Sequence, residues 1–388
     1  MSVETVTLGC RLNFAESETI ARTAPADEDW IVVNSCAVTN EAVRHTRQAI
    51  RKAHRRRPEA RILVTGCAAE LDPNSFAKLP GVTRVVGNGA KLKSLAANDV
   101  MPPAPAGFMG HVRSFVAVQS GCDHRCTFCS IWQARGPSRS LPFGAILDAV
   151  AREIDRGARE IVLTGVDITD YEGGLGGLCE RLLASEPRLT RLRLSSLDSI
   201  EIDGQLFELI AGEPRLMPHF HLSLQAGDDM ILKRMRRRHN RAQAVRVVER
   251  IKLARNDATI GADLIAGFPT ETEEMFLNTL RLLVDCDIVA AHIFPFSARP
   301  DTPAARMPQL PRDLVKARAA KLREEASTQR RQWLDRMAGS VQPVLIENGG
   351  KGHTDSFAPI LIEGAERGTT GAARVIARSG DMLTAAWA

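Results

Sequence analysis

Residues 119–140 read QSGCDHRCTFCSIWQARGPSRS, and three cysteines, Cys122, Cys126 and Cys129, stand here within eight residues. The apolar residues 115–118 precede this stretch directly. The pattern therefore predicts a strand that runs straight into a cysteine loop. In α/β barrels, functional loops lie beyond the C-terminal ends of the strands. We interpret the stretch as a barrel strand followed by a site-forming loop.

Three thiolates at this spacing are typical of an iron-sulfur cluster or of zinc. A zinc site normally has a fourth cysteine or a histidine, and His124 inside the loop leaves that alternative open. A four-iron cluster held by three cysteines keeps one iron free to bind S-adenosylmethionine. We predict Cys122, Cys126 and Cys129 as catalytic cluster ligands, with a structural zinc loop or three core thiols as alternatives.

Three segments near the N-terminus share one plan. Residues 3–8, 30–33 and 61–65 have strand patterns, and each is followed by a cysteine, namely Cys10, Cys36 and Cys67. Helical patterns lie between them, so a parallel sheet is predicted. Ligands collect at the carboxyl edge of such sheets. We therefore predict a second three-cysteine metal site, with buried core thiols as the alternative.

The composition is ordinary for a globular protein, with 388 residues, 44% apolar and 25% charged. This length predicts two or three domains. Residues 1–10 show no signal-peptide pattern, and no run reaches the ~18 apolar residues of a membrane span. We expect a cytoplasmic protein without a membrane partner. Eight cysteines without a secretory signal favour metal or redox chemistry over disulfides.

Positive charge is unevenly distributed along the chain, although the formal net charge is only +5. Basic clusters occur at residues 44–61, 233–241 and 316–336. Such clusters are compatible with a polyanionic partner. For the arginine-rich helix at residues 44–57, phosphate contact and a merely solvated face are the two interpretations.

Strands and helices alternate regularly after a proline-rich segment at residues 101–107, which we predict as a linker near a domain boundary. Helices are predicted at residues 145–156 and 273–284. Strand candidates follow the cysteine loop at residues 161–164, 192–195, 220–224, 259–265 and 288–294. Six strand-helix units are two short of a full barrel, so we predict an open, partial α/β barrel.

Residues of the loop and of the predicted strand ends could bind the cofactor. The candidates are Phe128, Gly165, Ser196, Gln225, Asp263 and Gly267. Polar residues at strand ends are also ordinary turn formers, so a structural role is the alternative for each. Cys179 and Cys286 are predicted to pack in the core and are assigned to no cluster.

The last fifty residues change character. After a charged helix at residues 316–337, short strand candidates lie at residues 341–347, 357–362, 374–377 and 382–386. This pattern predicts a small β-barrel of a type that binds single-stranded nucleic acid. Lys351, His353 and Phe357 are the expected RNA contacts. A structural cap on the α/β barrel is the alternative.

Over nearly its whole length the chain resembles the radical S-adenosylmethionine methylthiotransferases. The resemblance rests on residues 8–13 (LGCRLN), 34–42 (NSCAVTNEA), 120–123 (SGCD), 221–225 (HLSLQ) and 267–272 (GFPTET). The first three motifs look like the branch that acts on threonylcarbamoyladenosine in tRNA. Sibling branches modify isopentenyladenosine in tRNA or an aspartate of a ribosomal protein.

The resemblance implies three domains and two [4Fe-4S] clusters. Residues 1–100 would bind one cluster through Cys10, Cys36 and Cys67. Residues 112–330 would form the radical S-adenosylmethionine barrel with the other cluster, and residues 338–388 would form a TRAM-like RNA-binding barrel.

The implied reaction is methylthiolation at C2 of N6-threonylcarbamoyladenosine, next to the anticodon of tRNA. An external electron donor is expected, whereas the sulfur donor and the oligomeric state are left open. A sibling methylthiotransferase and a nonenzymatic, zinc-containing RNA-binding protein are the alternatives.

Overall fold

The computed structural model of the chain describes residues 3–24, 29–95, 104–107 and 111–388. Part of the predicted linker, residues 101–103, lies outside these ranges. In its described part, Ala106–Gly107 pairs antiparallel with the strand that precedes the cysteine loop. The N–H of Ala106 also donates a hydrogen bond to Thr19 Oγ1 at 3.2 Å. These two residues therefore form a short edge strand and not an irregular linker. Their backbone groups find hydrogen-bond partners in the neighbouring strand and in Thr19.

The N-terminal elements form a parallel α/β sheet. In chain order they are β1 (Glu4–Thr7), α1 (Arg11–Thr23), β2 (Trp30–Ser35), α2 (Asn40–Arg56), β3 (Arg61–Gly66), α3 (Cys67–Leu71), α4 (Pro73–Ala77) and β4 (Val82–Val85). The strand order is β1-β2-β3-β4, and all neighbours are parallel. Every residue of β2 is buried, as is usual when helices cover both faces of a sheet. The predicted parallel sheet is confirmed, and β4 adds a fourth strand to it.

The central elements form an α/β barrel with its covering helices. They are β5 (Ala106–Gly107), β6 (Arg113–Ala117), β7 (Gln119–Ser120), α5 (Ile131–Arg135), β8 (Arg139–Ser140), α6 (Phe143–Asp155), β9 (Glu160–Thr164), α7 (Leu175–Ser185), β10 (Leu192–Leu194), α8 (Gly204–Gly212), β11 (His219–Gln225), α9 (Asp229–Met235), α10 (Arg241–Ala254), β12 (Thr259–Ala266), α11 (Glu273–Asp285), β13 (Ile288–Pro295) and α12 (Arg312–Arg336).

Six of these strands make an open barrel. Strands β10, β9 and β6 are parallel neighbours, as are β11, β12 and β13. Isolated bridges, including Leu197 to Leu222, connect the two halves between β10 and β11. A large apolar core lies between the strands and their helices, and it includes Cys179 and Cys286, both fully buried. The predicted partial barrel is confirmed.

The helix positions agree closely with the sequence patterns. Helix α6 begins two residues earlier than predicted, α11 ends one residue later, and α12 begins at Arg312, four residues earlier. Within the described ranges, the structure contains no helix with the length and apolar character that a membrane crossing requires.

The C-terminal elements close into a small β-barrel. They are β14 (Val341–Asn348), β15 (Lys351–Thr354), β16 (Pro359–Leu361), β17 (Thr370–Ser379) and β18 (Met382–Trp387), in the order β14-β15-β16-β18-β17. The predicted barrel is confirmed, but β15 was not predicted because its residues lack an apolar pattern. Phe357 was predicted to begin a strand, yet it lies in the preceding turn with a positive φ of 73°.

Phe357 inserts into the lower mouth of the α/β barrel, where the barrel strands begin. Its ring stacks on His219 and His353, with centroid distances of 5.1 and 4.5 Å. The guanidinium of Arg193 lies 4.7 Å from its centroid. Phe357 and His353 were expected to contact RNA, but their rings stack on each other between the two barrels. Lys351, the third expected contact, is exposed.

Candidate active site

The cysteine loop is closed at its base by a short hairpin. Strand β7 pairs antiparallel with β8, and the N–H of Cys122 donates to the carbonyl of Gly136 at 3.1 Å. Gly121 has a φ of +86°, and a Cβ atom there would lie 1.8 Å from the carbonyl oxygen of Pro137. Only glycine fits this backbone without a shift, because the clash is with main-chain atoms.

Gln119 ties the loop to the end of β9. Its Nε2 donates to the carbonyl of Gly121 at 2.8 Å, and its Oε1 accepts hydrogen bonds from the N–H groups of Val166 and Asp167. Gly165, a predicted cofactor residue, lies against this side chain, since a Cβ there would come 2.9 Å from Gln119 Oε1. Gln119 was not predicted as a site residue, and its only sequence signal is its place just before the loop.

Cys126 is the loop thiol with the most electropositive surroundings. Arg237 Nη1 lies 3.6 Å from its sulfur and Nη2 lies 2.7 Å from Asp198 Oδ2. Burial raises the pKa of Cys126, but a hydrogen bond from His124 and the charge of Arg237 outweigh it and lower the pKa. Burial raises the pKa of Cys122 to about 12. Cys126 therefore forms a thiolate, the form that binds metal, more readily than Cys122.

Three carboxylates surround His124 at the rim of the barrel. Its Nε2 lies 3.3 Å from Asp167 and 3.6 Å from Glu201, and its Nδ1 lies 3.7 Å from Asp198. Hydrogen bonds with Cys126 and Glu201 raise the pKa of His124 to about 10. These carboxylates are natural acceptors for an amine or for ribose hydroxyls. Asp167 follows the predicted cofactor residue Gly165 by two positions, whereas Asp198, Glu201 and Arg237 were missed.

The zinc alternative would use part of this group. Donor atoms of Cys122, His124 and Asp167 all lie within 4.8 Å of one another. A histidine must be neutral to bind a metal ion, whereas the hydrogen bonds of His124 with Cys126 and Glu201 favour its protonated form. The geometry leaves zinc as the alternative for this group.

The other predicted cofactor residues occupy different layers of the barrel. Phe128 packs in an apolar cluster with Ile265 and Phe268. Gly267, with φ +73°, faces Val315 of α12. Gln225 ends β11 in a left-handed conformation with φ 67°. Ser196, just after β10, is half-buried.

Asp263 lies deeper, among polar side chains of the barrel interior. Its Oδ1 accepts hydrogen bonds from His221 Nε2 at 3.0 Å and from His292 Nδ1 at 3.1 Å. Arg11, the first residue of α1, lies within electrostatic range of this carboxylate. Burial, together with the charges of Arg113 and Arg193, lowers the pKa of Arg11 to about 10, and Asp263 acts in the opposite direction. Arg11 stays charged at neutral pH.

The folding of the N-terminal sheet brings Cys10, Cys36 and Cys67 to one edge. Gly9 has φ +96°, and a Cβ there would lie 2.6 Å from Cys36 Cβ. Burial raises the pKa of Cys36 to about 11, and the charges of Cys10 and Cys67 add to the increase. All three thiols are thus close enough to interact, although 26 and 31 positions separate them in sequence.

Arg135 connects the two cysteine triplets. It ends α5, just after the loop, and its Nε lies 3.4 Å from the sulfur of Cys67. Its Nη atoms donate to Glu16 at 2.9 and 3.0 Å and to Asn13 at 2.7 Å. Cys67 also raises the pKa of Cys129, after burial and the nearer Cys126. The two triplets therefore lie on one shared face between the sheet and the barrel.

This face suits anionic metal clusters. Each triplet offers three thiols and no fourth cysteine, and each has an arginine at a sulfur: Arg237 at Cys126 and Arg135 at Cys67. A buried thiolate needs such compensating positive charge. The donor set fits a four-iron cluster with three cysteine ligands and one open iron.

Fold and cysteine loop together define a radical S-adenosylmethionine enzyme. The family profile described as Radical SAM superfamily matches residues 116–283, and that of Uncharacterized protein family UPF0004 matches residues 2–87. Relatives that align over more than nine-tenths of the chain identify the family within this class. The chain belongs to the radical S-adenosylmethionine methylthiotransferase family. It is an enzyme of this kind, and the family implies a [4Fe-4S] cluster and S-adenosylmethionine as cofactors.

Two relatives carry the same name, threonylcarbamoyladenosine tRNA methylthiotransferase MtaB. The protein of Rickettsia prowazekii (strain Madrid E) is 44% identical over 93% of this chain and 91% of its own length. The protein of Aquifex aeolicus (strain VF5) is 34% identical, with 94% and 97% covered. Among solved structures, the radical S-adenosylmethionine methyltransferase TsrM from Kitasatospora setae has a TM-score of 0.54 at 15% identity, covering 74% of this chain and 65% of that one. This last likeness concerns the fold alone.

Proposed function

We propose that this enzyme methylthiolates C2 of N6-threonylcarbamoyladenosine next to the anticodon of tRNA, and that it uses two [4Fe-4S] clusters. The observation that carries the proposal is the pair of cysteine triplets facing each other across Arg135. One site suits generation of a radical and the other suits storage of the sulfur to be transferred. The names of the two relatives support the tRNA substrate and its modified base.

Each part of the chain has a proposed task. Residues 1–100 hold the sulfur-donating cluster through Cys10, Cys36 and Cys67. Residues 112–330 hold the radical cluster through Cys122, Cys126 and Cys129, and residues 338–388 act as a TRAM-like RNA-binding module.

The chemistry itself belongs to the cofactors. When bound, they supply radical chemistry at an aromatic carbon whose proton is too weakly acidic for any side-chain base. The protein positions the reacting groups and excludes water. Gln119 holds the loop at the end of β9, and Arg237 compensates the charge of Cys126. Asp167, Asp198 and Glu201 offer acceptors for the amine and ribose of S-adenosylmethionine.

For the predicted cofactor residues we propose different roles, according to how deep each residue lies in the barrel. Gly165 and Ser196 lie just after β9 and β10, and Gln225 ends β11, so we propose that they contact S-adenosylmethionine at the rim. Phe128 and Gly267 border the apolar cluster at the end of β12, which suits an adenine ring. For Asp263, deeper in the interior, we propose an indirect role through His221.

The proposed RNA-binding surface includes the exposed face of α2. Its buried face carries Thr46, Ile50 and Ala53, so the arginines point outward. Arg51, Arg55 and Arg56 are all exposed, and Arg56 also pairs with Glu4. Exposed arginines are suited to phosphate contacts.

The direct test is mass spectrometry of tRNA nucleosides from a strain that lacks this gene. The methylthio derivative of threonylcarbamoyladenosine should disappear and should return with the wild-type gene, but not with a Cys36→Ala variant. Loss of the isopentenyladenosine product instead would assign the enzyme to a sibling branch. An unchanged nucleoside profile, with zinc and no sulfide in the purified protein, would support the nonenzymatic alternative.

A further inference from the structure

Three arginines at the lower mouth of the radical barrel form ion pairs with carboxylates of the protein. Arg113, Arg191 and Arg193 contact the buried carboxylate of Glu160 at 3.3, 3.1 and 2.8 Å. Arg113 and Arg191 also pair with the C-terminal barrel, through Glu347 and Asp355 respectively. The positive charge of this mouth is therefore compensated by carboxylates of the protein itself.

Arg11 differs from these arginines. Among the described residues, no carboxylate lies within 4.0 Å of its guanidinium and no hydrogen bond is made by it. The guanidinium carbon lies 5.9 Å from the centroid of the Phe115 ring. A guanidinium offers five N–H donors in a rigid fork, so Arg11 presents a partly buried cation whose donors are free.

The carboxylate of Asp263 does not satisfy Arg11. Its Oδ1 is already engaged by both His221 and His292, and it forms no ion pair with Arg11. A partly buried charge without a partner is costly. Such a charge is expected where a ligand supplies the opposite one.

We propose that Arg11 binds the terminal carboxylate of the threonylcarbamoyl group of the substrate. This inference rests on the proposed function and names a residue that selects the modified base. Arg11 directly follows Cys10, a predicted ligand of the sulfur-donating cluster, and its side chain reaches from there into the barrel. Its neighbours Phe115 and Asp263 belong to strands β6 and β12, so the guanidinium lies in the interior of the barrel, beside the sheet edge that carries Cys10.

The chemistry of the two substituents makes Arg11 selective. A carboxylate matches the guanidinium fork with two parallel hydrogen bonds. An isopentenyl group has no charge and would leave Arg11 desolvated and unpaired. Sites built to hydrogen-bond a substrate group reject analogues that lack it.

The experiment measures binding without turnover. Synthetic anticodon stem-loops carry threonylcarbamoyladenosine or the same base with its carboxylate converted to a neutral amide. Dissociation constants are measured anaerobically for cluster-loaded wild type, Arg11→Gln and Arg11→Lys. Arg51→Gln, which removes an exposed arginine of α2, is the matched control.

Wild type should prefer the acid over the amide on the order of 10- to 100-fold, as charged hydrogen bonds allow. Arg11→Gln should abolish this preference, and Arg11→Lys should keep part of it because the charge remains. Arg51→Gln should weaken binding of both RNAs equally. Equal losses for both RNAs with Arg11→Gln would mean a contact to the RNA backbone and would overturn the proposal, as would an intact preference.

Two further results keep the inference distinct from the proposed function. If Arg11→Gln does not fold, the inference is tested by the preference of wild type and of Arg11→Lys for the acid over the amide RNA. The inference is overturned if wild type binds both RNAs equally well. The proposed function fails separately if wild type forms no methylthio product on the threonylcarbamoyl RNA. Product formed equally from acid and amide would leave the function standing and refute the role of Arg11.

Discussion

Arg135 Nε lies 3.4 Å from the sulfur of Cys67, although the two residues are 68 positions apart. The same guanidinium binds Glu16, which also pairs with Lys91. Burial alone would raise the pKa of Glu16, but the charges of Arg135 and Lys91 lower it to about 2. One buried ion network thus joins the N-terminal sheet to the helix that follows the cysteine loop.

Arg135→Met should destabilise the protein by about 3 kcal/mol, because it leaves the Glu16 carboxylate buried with only Lys91 as its partner. Urea unfolding under anaerobic conditions measures the free energy. Arg44→Met is the control, since Arg44 is exposed and pairs with Glu41 of the same helix, and should cost no more than about 0.5 kcal/mol. Equal effects of the two variants would show that the network does not hold the sheet to the barrel.

Gly121→Ala should prevent assembly of the radical cluster, because the new Cβ meets the main-chain oxygen of Pro137. Gly136→Ala is a matched control with a similar φ of +71°, yet nothing lies within 4 Å of its Cβ position. Iron per chain after reconstitution should fall by about four only for Gly121→Ala. The same loss in both variants would assign the effect to backbone strain and not to the clash.

Substitutions in the two cysteine triplets should affect different steps of the reaction. Cys126→Ala should abolish cleavage of S-adenosylmethionine, whereas Cys36→Ala should spare cleavage and stop thiolation. Iron should be about eight per wild-type chain and about four in a variant without Cys10, Cys36 and Cys67. Chromatographic assay of 5′-deoxyadenosine and metal analysis check both points. About four irons in both proteins would remove the sulfur-donating cluster from the proposal.

The substitution Glu160→Gln should change how the free energy of unfolding depends on pH. Burial would raise the pKa of Glu160, but Arg193, Arg113 and Arg191 hold it well below its usual range. The carboxylate therefore stabilises the fold fully above its unfolded-state pKa of about 4.3, and this is lost as the pH falls toward the folded-state value.

The measurement is the free energy of unfolding of wild type and Glu160→Gln at several pH values. The variant should be about 3 kcal/mol less stable at pH 7, with a smaller difference below pH 4. Glu208→Gln, at an exposed position on α8, should change little at either pH. A difference that stays constant with pH would contradict the ionised, paired state of Glu160.

Removal of Arg51 and Arg55 together should weaken tRNA binding and flatten its salt dependence. Each lost phosphate contact should reduce the slope of log K against log salt by about 0.9 for duplex regions and about 0.7 for single strands. Arg56→Gln is the control, because Arg56 pairs with Glu4 and should matter less. An unchanged slope would exclude α2 from the RNA interface.

Local sequence was sufficient wherever the signal is short-range. The spacing of Cys122, Cys126 and Cys129 indicates a cluster loop because a loop of eight residues keeps its thiols near one another. Alternating patterns predicted the parallel sheet and the open barrel, since each pattern reflects which face of one element is buried. The four-residue strand β15 was not predicted, because its Lys, Gly, His and Thr residues carry no such pattern.

Only the tertiary structure decided which distant residues meet. Cys10, Cys36 and Cys67 converge because parallel strands share an edge, and Arg135 reaches Cys67 because the sheet packs on the barrel loop. Phe357 had the sequence character of an RNA contact, yet it fills the barrel mouth beside Arg193. A buried ion pair or a stacked ring leaves no periodic mark in the sequence, because its stabilisation depends on partners from other elements. The sequence by itself therefore determined the chemistry of the cysteine loop and the order of the elements, and the packing of the three parts decided what surrounds each thiol.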